Sequence, residues 1–184
     1  AMINTSKLLQ ALANHIVVDM QNDFIDGALG SPEAVAIVPN VKKKIEEYRA
    51  NGYHVIFTKD THFDNYLETQ EGKHLPVKHC VARTDGWNIV ADIDVKEDRV
   101  ISKCAFGFNW FDYAEAPWFN GVDEIELVGL CTDICVISNA MILKAAFKEI
   151  PIVVDASCCA GVTPESHKAA LTTMKMCQIN VIGE

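Results

Sequence analysis

Residues 124–135 read EIELVGLCTDIC. The first seven form an apolar, strand-like run. Two cysteines four positions apart follow, with Thr132 and Asp133 between them, and a helical pattern covers 133–148. A strand that passes through a tight turn straight into a helix is the first half of a βαβ unit. Moving outward in both directions, the same alternation recurs. Strand-like runs are HIVVDM (15–20), YHVIFT (53–58), RVISK (99–103), IPIVVDA (150–156) and QINVIG (178–183). Residues 33–50 place Val35, Val38, Val41, Ile45 and Tyr48 at helical spacing, and Asn51-Gly52 supplies the stop. Residues 165–177 form a further helix, with Thr163 as its cap and Pro164 in its first turn. Strands alternating with helices predict a three-layer α/β/α fold around a mostly parallel sheet with right-handed crossovers. Strands that are apolar along nearly their whole length fit a sheet covered on both faces.

A chain of 184 residues suits one domain spanning 1–184. Its net charge of −9 argues against nucleic acid or an anionic membrane as a partner, because both repel an acidic surface. No apolar run approaches the ~18 residues of a membrane-spanning helix. Residues 1–15 lack the charged start and long apolar centre of a secretory signal, so a cytoplasmic location is expected. Seven cysteines, an odd number, are then expected to be mostly free thiols. The spacing of Cys131 and Cys135, and the adjacent Cys158 and Cys159, match neither a zinc clip nor a thioredoxin-type pair.

In open α/β sheets ligands bind beyond the carboxyl ends of the strands. Asp19 ends the first run, Lys59-Asp60-Thr61-His62 the second, Lys103 the third and the cysteine turn the fourth. A carboxylate, a cation and a thiol would meet at one edge. A free thiol has a pKa near ~8.5, and lowering it by about two units is worth ~2.7 kcal/mol. Cys135, in the first turn of its helix with Thr132 or Asp133 as cap, is expected to gain such help from the helix N-terminus and Lys103. Asp19 would take the thiol proton. Backbone N–H groups of Cys131 and Cys135 would hold an oxyanion.

The ordered set DMQNDF (19–24), the lysine after the third strand and GLCTDIC (129–135) resembles the isochorismatase-like cysteine hydrolase superfamily, especially its nicotinamidase/pyrazinamidase branch. The resemblance runs from about residue 15 to the last residue. It implies a six-stranded parallel sheet flanked by helices and a cis peptide at Leu130–Cys131. It assigns the acid/base to Asp19, the supporting cation to Lys103 and the nucleophile to Cys135. Isochorismatases proper lack this cysteine, so its presence favours C–N hydrolysis through a thioester.

The same branch binds a divalent metal, often zinc, with iron or manganese as alternatives. Asp60-Thr61-His62 and Lys78-His79-Cys80 match the two ends of its ligand pattern. Asp60, His62, Glu71 and His79 are the implied ligands, with Glu68 as the alternative to Glu71. The long polar segment 60–87 that carries them would otherwise read as a solvated loop, and His74 as an exposed loop residue. Phe24 matches the ring-packing phenylalanine of the branch, and Phe106, Phe108 and Trp110 are expected to line the rest. Pro76 stands where the branch often carries an aromatic residue. Cys104, Cys158, Cys159 and Cys177 read as core, Asp23 as a loop brace, and His15 and His167 as structural. The implied activity is hydrolysis of a small, nicotinamide-like carboxamide to acid and ammonia. Carbamoyl or ureido compounds are the second choice, and a non-catalytic metabolite binder is the rival reading. Helix 133–148 is apolar on more than one side, which suits burial or a partner subunit. Family members are commonly dimers or tetramers, so a homo-oligomer is expected.

Overall fold

The structure, a computed structural model, describes residues 13–184; most of the segment in which no secretory signal is read, residues 1–12, lies outside the described residues. Six strands form one sheet: β1 (Ala13–Val18), β2 (His54–Asp60), β3 (Arg99–Lys103), β4 (Glu124–Leu130), β5 (Ile152–Ala160) and β6 (Asn180–Ile182). They lie in the order β3-β2-β1-β4-β5-β6, and every neighbouring pair is parallel. The α/β/α expectation and the six parallel strands both hold. The helices are α1 (Asn22–Ile25), α2 (Pro32–Ala50), α3 (Gln70–His74), α4 (Ile137–Ala146) and α5 (Pro164–Met176).

Side chains alternate across each strand, so each strand feeds both faces. Ile16, Val18, Ile125, Leu127, Ile152 and Val154 point into a core roofed by α4 and α5. Val17, Val55, Phe57, Val128 and Leu130 point into a second core under α2. Ser31 caps α2 by accepting from the Ala34 N–H at 3.0 Å, with Pro32 in the first turn. Thr163 and Ser166 make a capping box at the start of α5, as the Thr163-Pro164 pair predicts for that end.

The inward stripe of α2 differs by one position from the expected one. Val35 is 47% exposed, while Ala34, Ile37, Val38, Val41, Ile45 and Tyr48 are buried. Spacings of three and four residues suit either neighbour, and the start at Ser31 settles the rotation. Cys158 and Cys159 are core residues, but Cys104 and Cys177 are exposed. Cys104 follows the edge strand β3, and Cys177 caps the C-terminus of α5, so neither has a layer above it.

Sheet order places β1 and β4 side by side while their successors run outward in opposite directions. That is the topological switch point, where the chains leaving two adjacent strands part and open a crevice. Gly129 makes the close pairing there possible. Its φ is +123°, and a Cβ would lie 2.1 Å from the Val18 carbonyl oxygen, so only glycine fits. The next peptide, Leu130–Cys131, is cis, as the resemblance implies.

Candidate active site

Asp19, Asp60, Lys103 and Cys131 each follow or end a different strand, and the sheet register carries them to one edge. Asp19 sits just past β1 with φ +49°, in the left-handed region that Asp tolerates better than most residues. Its N–H reaches the Thr58 carbonyl at 3.1 Å. Thr58 Oγ1 donates to Asp19 Oδ1 at 2.7 Å, and Lys103 Nζ donates to Oδ2 at 2.7 Å. The same ammonium lies 3.6 Å from Cys135 Sγ. All three side chains are buried. The expected trio of acid, cation and thiol is therefore brought together.

Its electrostatics differ from the sequence expectation. Burial and the Asp19 charge push the Cys135 thiol well above its ordinary pKa, and Lys103 only partly opposes them. The resting sulfur is a neutral thiol. Burial likewise raises Asp19 against the pull of Lys103. Lys103 stays charged, because its carboxylate neighbours outweigh the burial that would lower it. Two groups reluctant to ionise thus share the vicinity of one fixed cation. That arrangement moves a proton between sulfur and carboxylate more readily than it stores a free thiolate.

Cys135 lies in a π-type turn, Thr132–Val136, that runs into α4. No side chain caps it. Thr132 Oγ1 and His167 Nδ1 are 2.7 Å apart, and the Asp133 carboxylate accepts from the Val162 N–H and the Ser166 hydroxyl. The expected caps therefore tie the turn to α5 instead. His167 has its pKa lowered by burial, so Nδ1 is free to accept from Thr132.

Beside the trio, one atom from each of Asp60, His62, Glu71 and His79 lies within 4.8 Å of the others. His62 Nε2 is 2.9 Å from Asp60 Oδ2 and 3.1 Å from Glu71 Oε2, and His79 Nε2 is 3.4 Å from Asp60. Burial depresses the His62 imidazole, but hydrogen bonds to Asp60 and Glu71 outweigh it and lift it to about 9. Asp60 Oδ1 is buried with no hydrogen-bond donor. Two imidazoles and two carboxylates, one with an orphaned oxygen, suit zinc, iron or manganese. Glu68 is exposed, and His74, also exposed, turns Nδ1 to its own helix at Gln70. Lys103 Nζ, 3.7 Å from Asp60 Oδ1, links this cluster to the trio.

Several positioning residues escape a sequence reading. Gln21 accepts from the Asp60 N–H and donates to the Asp60 carbonyl, both at 2.8 Å. Its place within DMQNDF was the available signal. Asp23 accepts from the Cys80 N–H at 2.8 Å, which fits its reading as a brace. Asn139 accepts from Phe108 N and Trp110 Nε1 and donates to the Phe106 and Cys135 carbonyls. A lone asparagine in an apolar helix was its only sign.

A cavity of about 380 Å³ opens over Cys135, with Phe24, Phe106, Cys131 and His79 in its wall. Trp110 lies elsewhere. It is fully buried, held by Asn139, and packs against Phe108 and Phe119. Its indole N–H draws it inward, so it supports the loop after β3 rather than lining the site.

Switch-point crevice, buried thiol, carboxylate and ammonium, and an adjoining His/carboxylate cluster define a hydrolase-type centre. A family model described as Isochorismatase domain matches residues 13–183. The nicotinamidase/pyrazinamidase of Mycobacterium tuberculosis is 30% identical over 182 residues, 91% of this chain and 96% of that protein. A crystal structure of the pyrazinamidase of Pyrococcus horikoshii in complex with zinc shares 31% identity at a TM-score of 0.81, covering 94% of this chain and 99% of that one. A probable inactive nicotinamidase of Arabidopsis thaliana is 27% identical over 87% of this chain and 86% of its own length. The chain belongs to the isochorismatase family, in its nicotinamidase/pyrazinamidase-like branch of C–N hydrolases.

Proposed function

We propose that the chain is a cysteine-dependent amidohydrolase that converts a small carboxamide to its acid and ammonia. The observation that carries this reading is Lys103 Nζ placed 2.7 Å from Asp19 and 3.6 Å from the sulfur of Cys135, a residue that lines the cavity. Asp19 takes the thiol proton as the sulfur bonds to the carbonyl carbon. The resulting negative charge on sulfur and then on oxygen forms beside Lys103, and the N–H groups of Cys131 and Cys135 receive the oxyanion. The C–N bond breaks, and ammonia leaves with the proton from Asp19. Asp19 next deprotonates a water that attacks the thioester; the C–S bond breaks, and Cys135 recovers a proton as the acid departs.

Asp60, His62, Glu71 and His79 would hold a divalent ion. Such an ion, when bound, supplies a positive anchor for a ring nitrogen or a water. Elemental analysis of protein purified without chelators should find close to one transition metal per chain. Finding none, with no gain in activity on adding metals back, removes the ion from the proposal.

Nicotinamide and pyrazinamide are the first substrates to assay, by ammonia release. The Cys135→Ser variant should lose at least ~10³-fold in kcat. Equal rates in the two proteins would end the proposal. All seven cysteines are free thiols, which supports a reducing, cytoplasmic setting. Half-buried Ile137, Met141 and Ile142 on α4 support a homo-oligomer, which light scattering would test.

A further inference from the structure

The cavity over Cys135 is lined mainly by apolar side chains. Its volume of about 380 Å³ falls in the ~300–1,000 Å³ range of pockets for drug-sized ligands. Cys135 and the Asp60, Glu71 and His79 side chains line it, together with the stretch where the chain passes from α1 into α2, Ala28, Leu29, Gly30, Ser31 and Ala34, termed the arm below. No lysine or arginine lines the cavity among the described residues.

In the first turn of α2, Glu33 does not line the cavity, and the other residues have no N–H to spare for an anion. Pro32 has none, and the Ala34 and Val35 N–H groups go to the Ser31 side chain and carbonyl. The one hydroxyl of the arm, that of Ser31, is thus engaged as the cap. A carboxylate pushed into the arm would lose its water and gain no partner. An uncharged apolar group would instead bury area against alanine and leucine side chains. Pro76, at the branch's aromatic position, is absent from the wall, so no ring closes the cavity from that side. Val162, 61% exposed, stands at its mouth.

We propose that this arm is a subsite for an uncharged apolar extension of the substrate. The preferred class is then a neutral aromatic carboxamide bearing a second ring or an alkyl chain, rather than a carbamoyl or ureido compound bearing a carboxylate. This rests on the amidase reading above and narrows it.

The test compares three compounds with the intact protein: nicotinamide, a nicotinamide carrying a phenyl ring meta to the carboxamide, and an N-carbamoyl amino acid. The phenyl compound should show a kcat/KM about tenfold above nicotinamide, mostly through KM, and the carbamoyl acid one at least ~100-fold below it. Ala28→Phe, on an exposed turn, and Ala34→Leu each narrow the arm. Either should lower the ratio of phenyl compound to nicotinamide about tenfold. A phenyl compound cleaved worse than nicotinamide, a well-cleaved carbamoyl acid, or a ratio unmoved by both variants overturns the subsite while leaving the amidase reading intact. If no amide is turned over, the amidase reading fails. Calorimetric Kd values for the two amides then decide the arm separately, equal or weaker binding of the phenyl compound overturning it.

Discussion

At Cys135, burial and charge pull the same proton in opposite directions. Lys103 favours the thiolate, but its nearest partner is Asp19, so much of its charge is already matched. Burial and the Asp19 carboxylate therefore prevail, and the thiol stays protonated at neutral pH. A raised thiol pKa means that the thiolate fraction grows about tenfold for each pH unit until that pKa is passed. Alkylation of the Cys135 peptide by iodoacetamide, followed by mass spectrometry, should climb steadily from about pH 7 to 9 without a plateau. Asp19→Asn removes the charge that opposes ionisation and leaves Lys103 to the sulfur. Alkylation at neutral pH should then speed up while amide hydrolysis falls by at least ~10²-fold. A wild-type plateau below neutral pH would show that the ammonium prevails over burial.

Among the elements, α4 follows directly on the turn that holds Cys135, and Asn139 is the joint. Its side chain, fully buried, uses two acceptor and two donor positions to tie the 106–110 loop to the Cys135 carbonyl. Asn139→Leu keeps the volume but strands all four partners. Net stability should fall by ~3 kcal/mol in urea unfolding, allowing for relaxation and water entry. Asn139→Ala admits water and should cost less, while both variants lower kcat more than they raise KM. Loss confined to stability would make Asn139 a core residue alone. None of this was legible in the sequence, because hydrogen bonds between α4 and a loop some thirty positions away leave no periodic trace. What was legible is local or follows from topology. The alternation of strands and helices gave the sheet, and the residues after each strand gave Asp19, Lys103 and Cys135. The facing of Val35 was misread because neighbouring stripes on a helix differ by one position. Trp110 was misplaced because composition does not say which aromatic finds a buried acceptor. The direction of the Cys135 shift was missed because adding favourable charges leaves out the cost of burial.

Across the whole molecule, a second buried polar network lies between α2 and the sheet, where β1, β4 and β5 meet the helix. Tyr48 donates to Glu126, Lys44 bridges Glu126 and Asp155, and His15 stacks on Tyr48 at 4.2 Å. Neither ring nitrogen of His15 has a hydrogen bond, and its closest carboxylate oxygen, on Glu126, is 3.9 Å away, beyond hydrogen-bond reach. Burial, with help from the Lys44 charge, lowers its pKa from 6.5 to about 3. The unfolded chain therefore binds a proton here that the folded chain refuses. The stability this neutral ring contributes is complete above about pH 6.5 and is lost as pH falls toward 3, because protonation favours the unfolded state. At about pH 5 the loss should be ~2 kcal/mol, a sizeable share of the ~5–15 kcal/mol that holds a typical domain together. His15→Phe keeps a flat ring against Tyr48 and removes the titration. Urea unfolding of both proteins between about pH 5 and 7.5 isolates the effect, since Glu126, Asp155 and Lys44 titrate in both. The wild-type protein should lose ~2 kcal/mol more than the variant over that span. Parallel curves would mean that His15 gains a proton partner inside the fold, and that its burial is not what limits the protein in acid.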